Sequence, residues 1–274
     1  MKIRLISYAD KRFRTVQRVC SLSGKYIGGF DEVVSYGPND IDSIFREKNK
    51  EILNNQRGAG LWLWKPYIID KALAEIKMGE YLFYCDAGSF FIRNIKNIVY
   101  SMDQDIWVSD IPLLEKQWTN PQCFEIMDVE DQYKETNQIQ AGFICIKKTD
   151  KTIEFIKEWL EYCCNTLLLS PEKENKTMKA NEYSYFIDHR EDQSVLSLLC
   201  KKRGIIPHKD PTQFGRYPEG YSAPGRILSI PNHNTDTYKC IIILHRLDRV
   251  KIRTFVKWLI VGIGPRMMLK YVIR

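Results

Sequence analysis

The stretch 79-GEYLFYCDAGSFFIRNI-95 carries an uninterrupted apolar run, YLFYC, straight into one acid, Asp86, and then into Ala87, Gly88 and Ser89. An apolar run of this kind, ahead of small residues, reads as a buried strand. A carboxylate at the end of such a strand has two readings. It can start a turn. It can also hold a ligand, because open α/β sheets bind ligands at the carboxyl ends of their strands. An acid there can coordinate a hard divalent cation that neutralises a diphosphate. Ala87, Gly88 and Ser89 would let the ligand approach the backbone closely.

On either side of this run strands and helices alternate. KIRLISY (2–8) reads as a first strand, and 10–24 as a helix with Asp10 as N-cap and Gly24 near its end. FDEVVSYG (30–37) is a second strand and 38–55 a charged amphipathic helix. RGAGLWLWKP (57–66) is glycine-bounded and aromatic, and 67–79 is a helix after Pro66 that Gly79 closes. Further on, 105–111 and the alternating 140–148 are strands, 152–169 and 191–204 helices, 171–184 a polar loop, 207–239 irregular, and 239–248 a late strand. The pattern predicts an α/β sheet of largely parallel strands.

Composition narrows the functional classes. The chain has 274 residues, 44% hydrophobic and 12% aromatic, enough for a sizeable core. The opening MKIRLISYADKRF is too short an apolar run for a secretory leader, and no run reaches the roughly 18 apolar residues of a spanning helix. None of the eight cysteines forms a CxxC pair, which points to a reduced protein without a cysteine-rich zinc site. Net charge is +7. From 249 to 274 there are seven Lys or Arg and no acid, interleaved with apolar and aromatic residues. Such a basic amphipathic segment suits an anionic membrane surface. It can equally be a terminal helix docked on the body, and Gly262, Gly264 and Pro265 would break any single long helix.

Three segments, in order, resemble those of the GT-A-fold glycosyltransferases, which use nucleotide-diphospho sugars. YLFYCDAGS resembles their strand ending in the DxD motif. QIQAGFICIKK resembles the later strand lining the donor-sugar pocket, and HREDQSVLSLL the acid-bearing helix start after it. GLWLWKPYII resembles the corresponding block of bacterial surface-polysaccharide (capsule and O-antigen) transferases. The segments span roughly 3 to 246. The resemblance implies a Rossmann-like, mixed, mostly parallel sheet flanked by helices. It implies a catalytic domain over 1–248, its nucleotide-sugar half about 1–110 and its acceptor half about 111–248, followed by the tail at 249–274. It further implies an enzyme moving a sugar from a UDP-sugar, with Mn²⁺ or Mg²⁺, to a glycan acceptor, lipid-linked, at the cytoplasmic face of the cell membrane.

One position departs from the pattern: Gly88 stands where DxD has its second acid. His245, after the apolar CIIIL, is the candidate further ligand beside Asp86. The alternatives are a strand-end imidazole bonded to backbone, and a metal-free site using Lys and Arg on the phosphates. Glu191 and Asp192 suit the first turn of any helix. The functional readings are an inverting base at Asp192, or a retaining site with Asp192 or Gln193 beneath the anomeric carbon, which DQSVL resembles more. Tyr8, Asp10, Lys11 and Arg12 follow the first strand, where the resemblance places base, ribose and phosphate. Trp62, Trp64 and Lys65 form an aromatic and cationic patch. Gln138, Gln140, Ala141 and Gly142 offer amides and room for a sugar ring. Pro207, His208, Arg216, Tyr217 and His233 lie in a loop that can close over an acceptor. A nucleic-acid or phosphoinositide module is disfavoured, because basic residues outside the tail read as dispersed and matched by acids. A nucleotidyltransferase would want a glycine-rich phosphate loop, which ISYADKRF lacks.

Overall fold

The computed structural model describes residues 1–171, 184–233 and 236–249, and beyond them 253, 256, 257, 260 and 263. The expected loop at 171–184 and most of the basic tail lie outside the described residues. Five strands form the main sheet: β1 (Ile3–Tyr8), β2 (Glu32–Tyr36), β3 (Tyr81–Cys85), β5 (Ile106–Leu114) and β6 (Asn137–Lys147), ordered β2-β1-β3-β6-β5. β1 pairs in parallel with β2 and β3, while β6 runs antiparallel to both β3 and β5. β6 alone is therefore reversed, and the sheet is mixed but mostly parallel. β4 (Ser89–Phe91) pairs antiparallel with β7 (Ile242–Leu244) in a small second sheet. The late strand is thus shorter than 239–248 and lies outside the main sheet, and β4 continues the chain directly past Asp86.

YLFYC is buried as its composition requires. Leu82 and Tyr84 face one core with α2 (Trp64–Glu75), α3 (Asp150–Cys163) and α4 (Glu191–Lys202). Phe83 and Cys85 face the other with Cys20 of α1 (Arg14–Ser23) and Ile95, Ile98 and Ile242. All eight cysteines are free thiols.

Three helices differ from expectation. α2 begins at Trp64, not after Pro66, because a proline in the first turn removes only an N–H with no partner there. Gly79, at φ +81°, serves the turn into β3 instead. The 38–55 segment breaks into short turns at Pro38–Asp40, Ser43–Lys48 and Lys50–Leu53. The helix from 152 starts at Asp150, capped by the Thr149 side chain, and ends at Cys163; a separate turn spans Thr166–Leu169.

β6 contains the irregularity that shapes the site. Ala141 and Ile144 face the same core although three residues apart, and the register with β5 slips between Trp107 and Ser109. This bulge sits beside the end of β3, where the Asp86 N–H donates to Gly142 O at 2.9 Å.

Candidate functional site

A cleft of about 410 Å³ opens at the carboxyl ends of β1 and β3. Tyr8, Asp10, Arg12, Trp62, Trp64, Asp86, Ala87 and Gly88 line it, together with Gln56, Gly58, Ala59, Leu244 and Arg246. Tyr8, the last residue of β1, stacks on the Trp64 ring at 3.9 Å and 15°. Asp10 caps a turn rather than the helix itself: its Oδ1 accepts the N–H of Arg12 and of Phe13. The Arg12 guanidinium is paired with Asp248 at 2.7 Å. Lys11 is exposed outside the cleft lining.

One wall is a left-handed turn. Gly58, Ala59, Gly60, Leu61 and Trp62 all have φ between 52° and 104°. Glycine is needed at 60, where a Cβ would lie 2.9 Å from Leu53 Cα. Ala59, Leu61 and Trp62 hold that conformation at a cost of roughly 1–2 kcal/mol each. The Trp64 indole N–H ties the turn down, donating to Gly58 O at 2.9 Å.

Behind the cleft floor, Lys65 joins two of the candidate acids. Its side chain is buried at 3% exposure on the first turn of α2. Nζ stands 2.8 Å from Asp192 Oδ2, a close ion pair rather than an aligned hydrogen bond, and 3.6 Å from Asp86 Oδ1. The Tyr84 hydroxyl donates to the same Asp86 Oδ1 at 2.6 Å. Burial opposes the lysine's charge, yet Asp192 and then Asp86 outweigh it, so its pKa is raised and the ammonium persists. Burial pushes the Asp192 carboxyl up to about 6 against the pull of Lys65. Burial likewise raises Glu191 to about 7, against its pairing with Arg57 Nε. Glu191 has a strained φ of +36° at the start of α4. Neither acid lines the cleft; Asp86 is the group that faces both cleft and lysine.

The β6 amides form their own network. Gln193 Nε2 donates to Gln138 Oε1 at 2.7 Å, and Gln193 Oε1 accepts the Ala141 N–H at 3.4 Å. Gln140 Nε2 donates to Ser109 Oγ at 2.7 Å. Gly142 lies against Asp86: a Cβ there would be 3.2 Å from Oδ2. The loop candidates sit elsewhere. His208 pairs with Asp236 at 2.9 Å, and His233 with Asp110 at 2.7 Å. His233, Asp110, Lys209 and Asp210 border a separate pocket of about 220 Å³. Pro207 and Tyr217 are half-buried, and Arg216 borders a further pocket beside Tyr238.

The same geometry addresses the divalent cation. A side chain at Gly88 would crowd the chain: its Cβ would stand 3.2 Å from Arg246 Cα, and its carbonyl accepts the N–H of His245 and Arg246. His245 has Nδ1 accepting the Leu247 N–H at 3.1 Å and its ring on Phe90; its neighbours Leu244 and Arg246 line the cleft. No three His, Cys, Asp or Glu side chains converge among the described residues. One carboxylate beside a fixed ammonium does not fit a divalent cation without oxygens from elsewhere.

Sequence reasoning missed Arg246, Tyr84 and Arg57. Arg246, at φ +56°, lies over the Phe214 and Tyr221 rings at the cleft edge. Only the proximity of Tyr84 to Asp86 was visible beforehand.

No protein-family model and no curated protein matches the sequence. Solved structures do resemble the fold. Mouse xyloside xylosyltransferase 1, in its apo form, is 11% identical with a TM-score of 0.51, covering 92% of this chain and 100% of that one. The galactosyltransferase LgtC, in complex with donor and acceptor sugar analogs, is 14% identical with a TM-score of 0.45, covering 89% and 87%. GlyE, a glycosyltransferase of Streptococcus pneumoniae TIGR4, is 13% identical with a TM-score of 0.41, covering 80% and 49%. The chain shares the mixed α/β fold of that xylosyltransferase.

Proposed function

We propose that the protein is a glycosyltransferase that moves a sugar from a nucleotide-diphosphate donor, a UDP-sugar, to a glycan acceptor. The observation that carries this is the Asp86–Lys65–Asp192 cluster, which runs from the cleft wall at Asp86 to the α4 acid behind the floor through one buried cation. The nucleotide-sugar half is then about 1–110 and the acceptor half 111–248. Tyr8 and Trp64 offer ring surface for the base, Asp10 an oxygen for the ribose, and Arg12 and Arg246 charge for the diphosphate. Ala87, Gly88 and Gly142 leave space beside it. Fixed charges aimed at a leaving diphosphate need no reorganisation as its charge develops. Mn²⁺ or Mg²⁺, expected from the resemblance, would have to draw most of its oxygens from the diphosphate and water.

Asp192 is 4% exposed and held by Lys65, a poor position for taking a proton from an acceptor hydroxyl. This favours retention, with the Gln193 amide, bonded to Gln138 and Ala141 of β6, as the candidate beneath the anomeric carbon. The inverting reading keeps Asp192 as base. A lipid-linked acceptor, in bacterial capsule or O-antigen synthesis, agrees with the basic tail and a place on the inner membrane face. Among the described residues no helix is long and apolar enough to cross a membrane.

The test is thermal shift with UDP, GDP and CDP, each with and without Mn²⁺. A rise with UDP supports the reading. No response to any nucleotide favours a non-enzymatic phosphate- or membrane-binding module. Product NMR then assigns the anomeric outcome.

A further inference from the structure

The basic tail is not the only acid-free stretch. Residues 11–30 carry Lys11, Arg12, Arg14, Arg18 and Lys25 with no acid, and 249–274 carry seven Lys or Arg with none. Of the 41 Lys and Arg, the remaining 29 face all 34 acids, so the positive charge is concentrated in these two segments. The expectation that basic residues outside the tail are matched by acids therefore fails at α1.

The fold brings the two segments together. Arg12 is paired with Asp248 at 2.7 Å, at the entry to the tail. Ile263, a helical residue of the tail, lies in an apolar groove with Val19, Leu22, Ile27, Phe90 and Ile92. On α1 and the π-helical segment Gly24–Gly28 after it, Arg14, Arg18, Leu22 and Tyr26 recur every fourth residue and are all exposed, while Val16, Gln17, Cys20 and Gly24 behind them are buried. The far end of this stripe is apolar: Leu22, Tyr26 and Ile27 are 56%, 74% and 48% exposed, with Val256 and Ile263 of the tail at 47% and 52%. A solvated helix face has no use for three large apolar side chains within six residues. Cations leading into exposed Leu, Tyr and Ile suit headgroups and the acyl boundary beneath them.

We propose that the face from Lys11 to Ile27 is a membrane-docking surface that seats on anionic lipid, side by side with the C-terminal segment. Lys11, Arg14, Arg18 and Lys25 meet the headgroups, and Leu22, Tyr26 and Ile27 enter the interface. Arg12 and Phe13 belong to the cleft rim as well, so the cleft opens next to the bilayer. The proposal does not depend on sugar transfer.

Co-sedimentation of the full chain with phosphatidylcholine vesicles, with and without phosphatidylserine, tests it. Binding is expected only with phosphatidylserine. Arg14→Gln/Arg18→Gln weakens it about thirtyfold, since each basic side chain near the surface is worth about fivefold. Leu22→Ser/Ile27→Ser weakens it too, and both variants melt like the wild type because the side chains are exposed. If both variants bind as the wild type does and only removal of 249–274 abolishes binding, the proposal is overturned. Equal binding to neutral vesicles, or capture of single-stranded RNA with no vesicle binding, overturns it as well.

Discussion

Replacing Lys65 with Met removes the ammonium while keeping most of the buried stem. Asp192, 4% exposed and 2.8 Å from Nζ, then has no cation beside it and keeps the negative Asp86 nearby. Removing one partner of a buried pair costs about 3–5 kcal/mol, because a buried charge is left uncompensated. Asp192 escapes that cost by staying protonated. Its folded pKa, already raised to about 6, rises further in the variant, by roughly two units or more at 1.36 kcal/mol per unit. A raised folded pKa gives stability that is full below the unfolded value and lost as pH rises through the folded one. Lys65→Met is therefore expected to cost a few tenths of a kcal/mol near pH 5.5 and about 2 kcal/mol near pH 8. Urea unfolding at both pH values reads this directly, and adding Asp192→Asn should recover most of the loss at pH 8. A loss equal at the two pH values, or under about 1 kcal/mol at pH 8, would refute the claim that Lys65 is the charge partner of Asp192.

Other substitutions test the rest of the site. Gly88→Ala should cost about 1–3 kcal/mol in denaturant unfolding, because the new Cβ meets the Arg246 backbone rather than a flexible side chain. Trp64→Phe keeps the ring against Tyr8 but loses the bond to Gly58 O, so a loss of about 1 kcal/mol is expected; no change would show that the left-handed turn stands without it. Asp86→Asn should leave the fold intact and reduce sugar transfer by about a hundredfold or more; full activity would remove Asp86 from the machinery.

How much of this was legible beforehand depended on whether the cause was local. YLFYC reads as a buried strand from its apolar run alone, and the structure buries both of its faces. The acids opening α4 and the Gly-bounded block before α2 were also visible. The start of α2 was not, because a proline in a first turn looks the same as a proline before a helix. The bulge in β6 left no mark beyond Ala141 and Gly142, since it answers to packing against Asp86. Gly88 read as a missing acid, and the close approach of the chain at Arg246 was not visible. The cluster at the floor could not be seen at all: Lys65, Asp86 and Asp192 are brought together only by the sheet and two helices.

The most direct measurement is photo-crosslinking with 5-azido-UDP followed by peptide mapping. Label is expected in peptides holding Tyr8–Arg12 or Gln56–Lys65, suppressed by excess UDP. Label confined to peptides away from the cleft, or label that UDP does not displace, would contradict it.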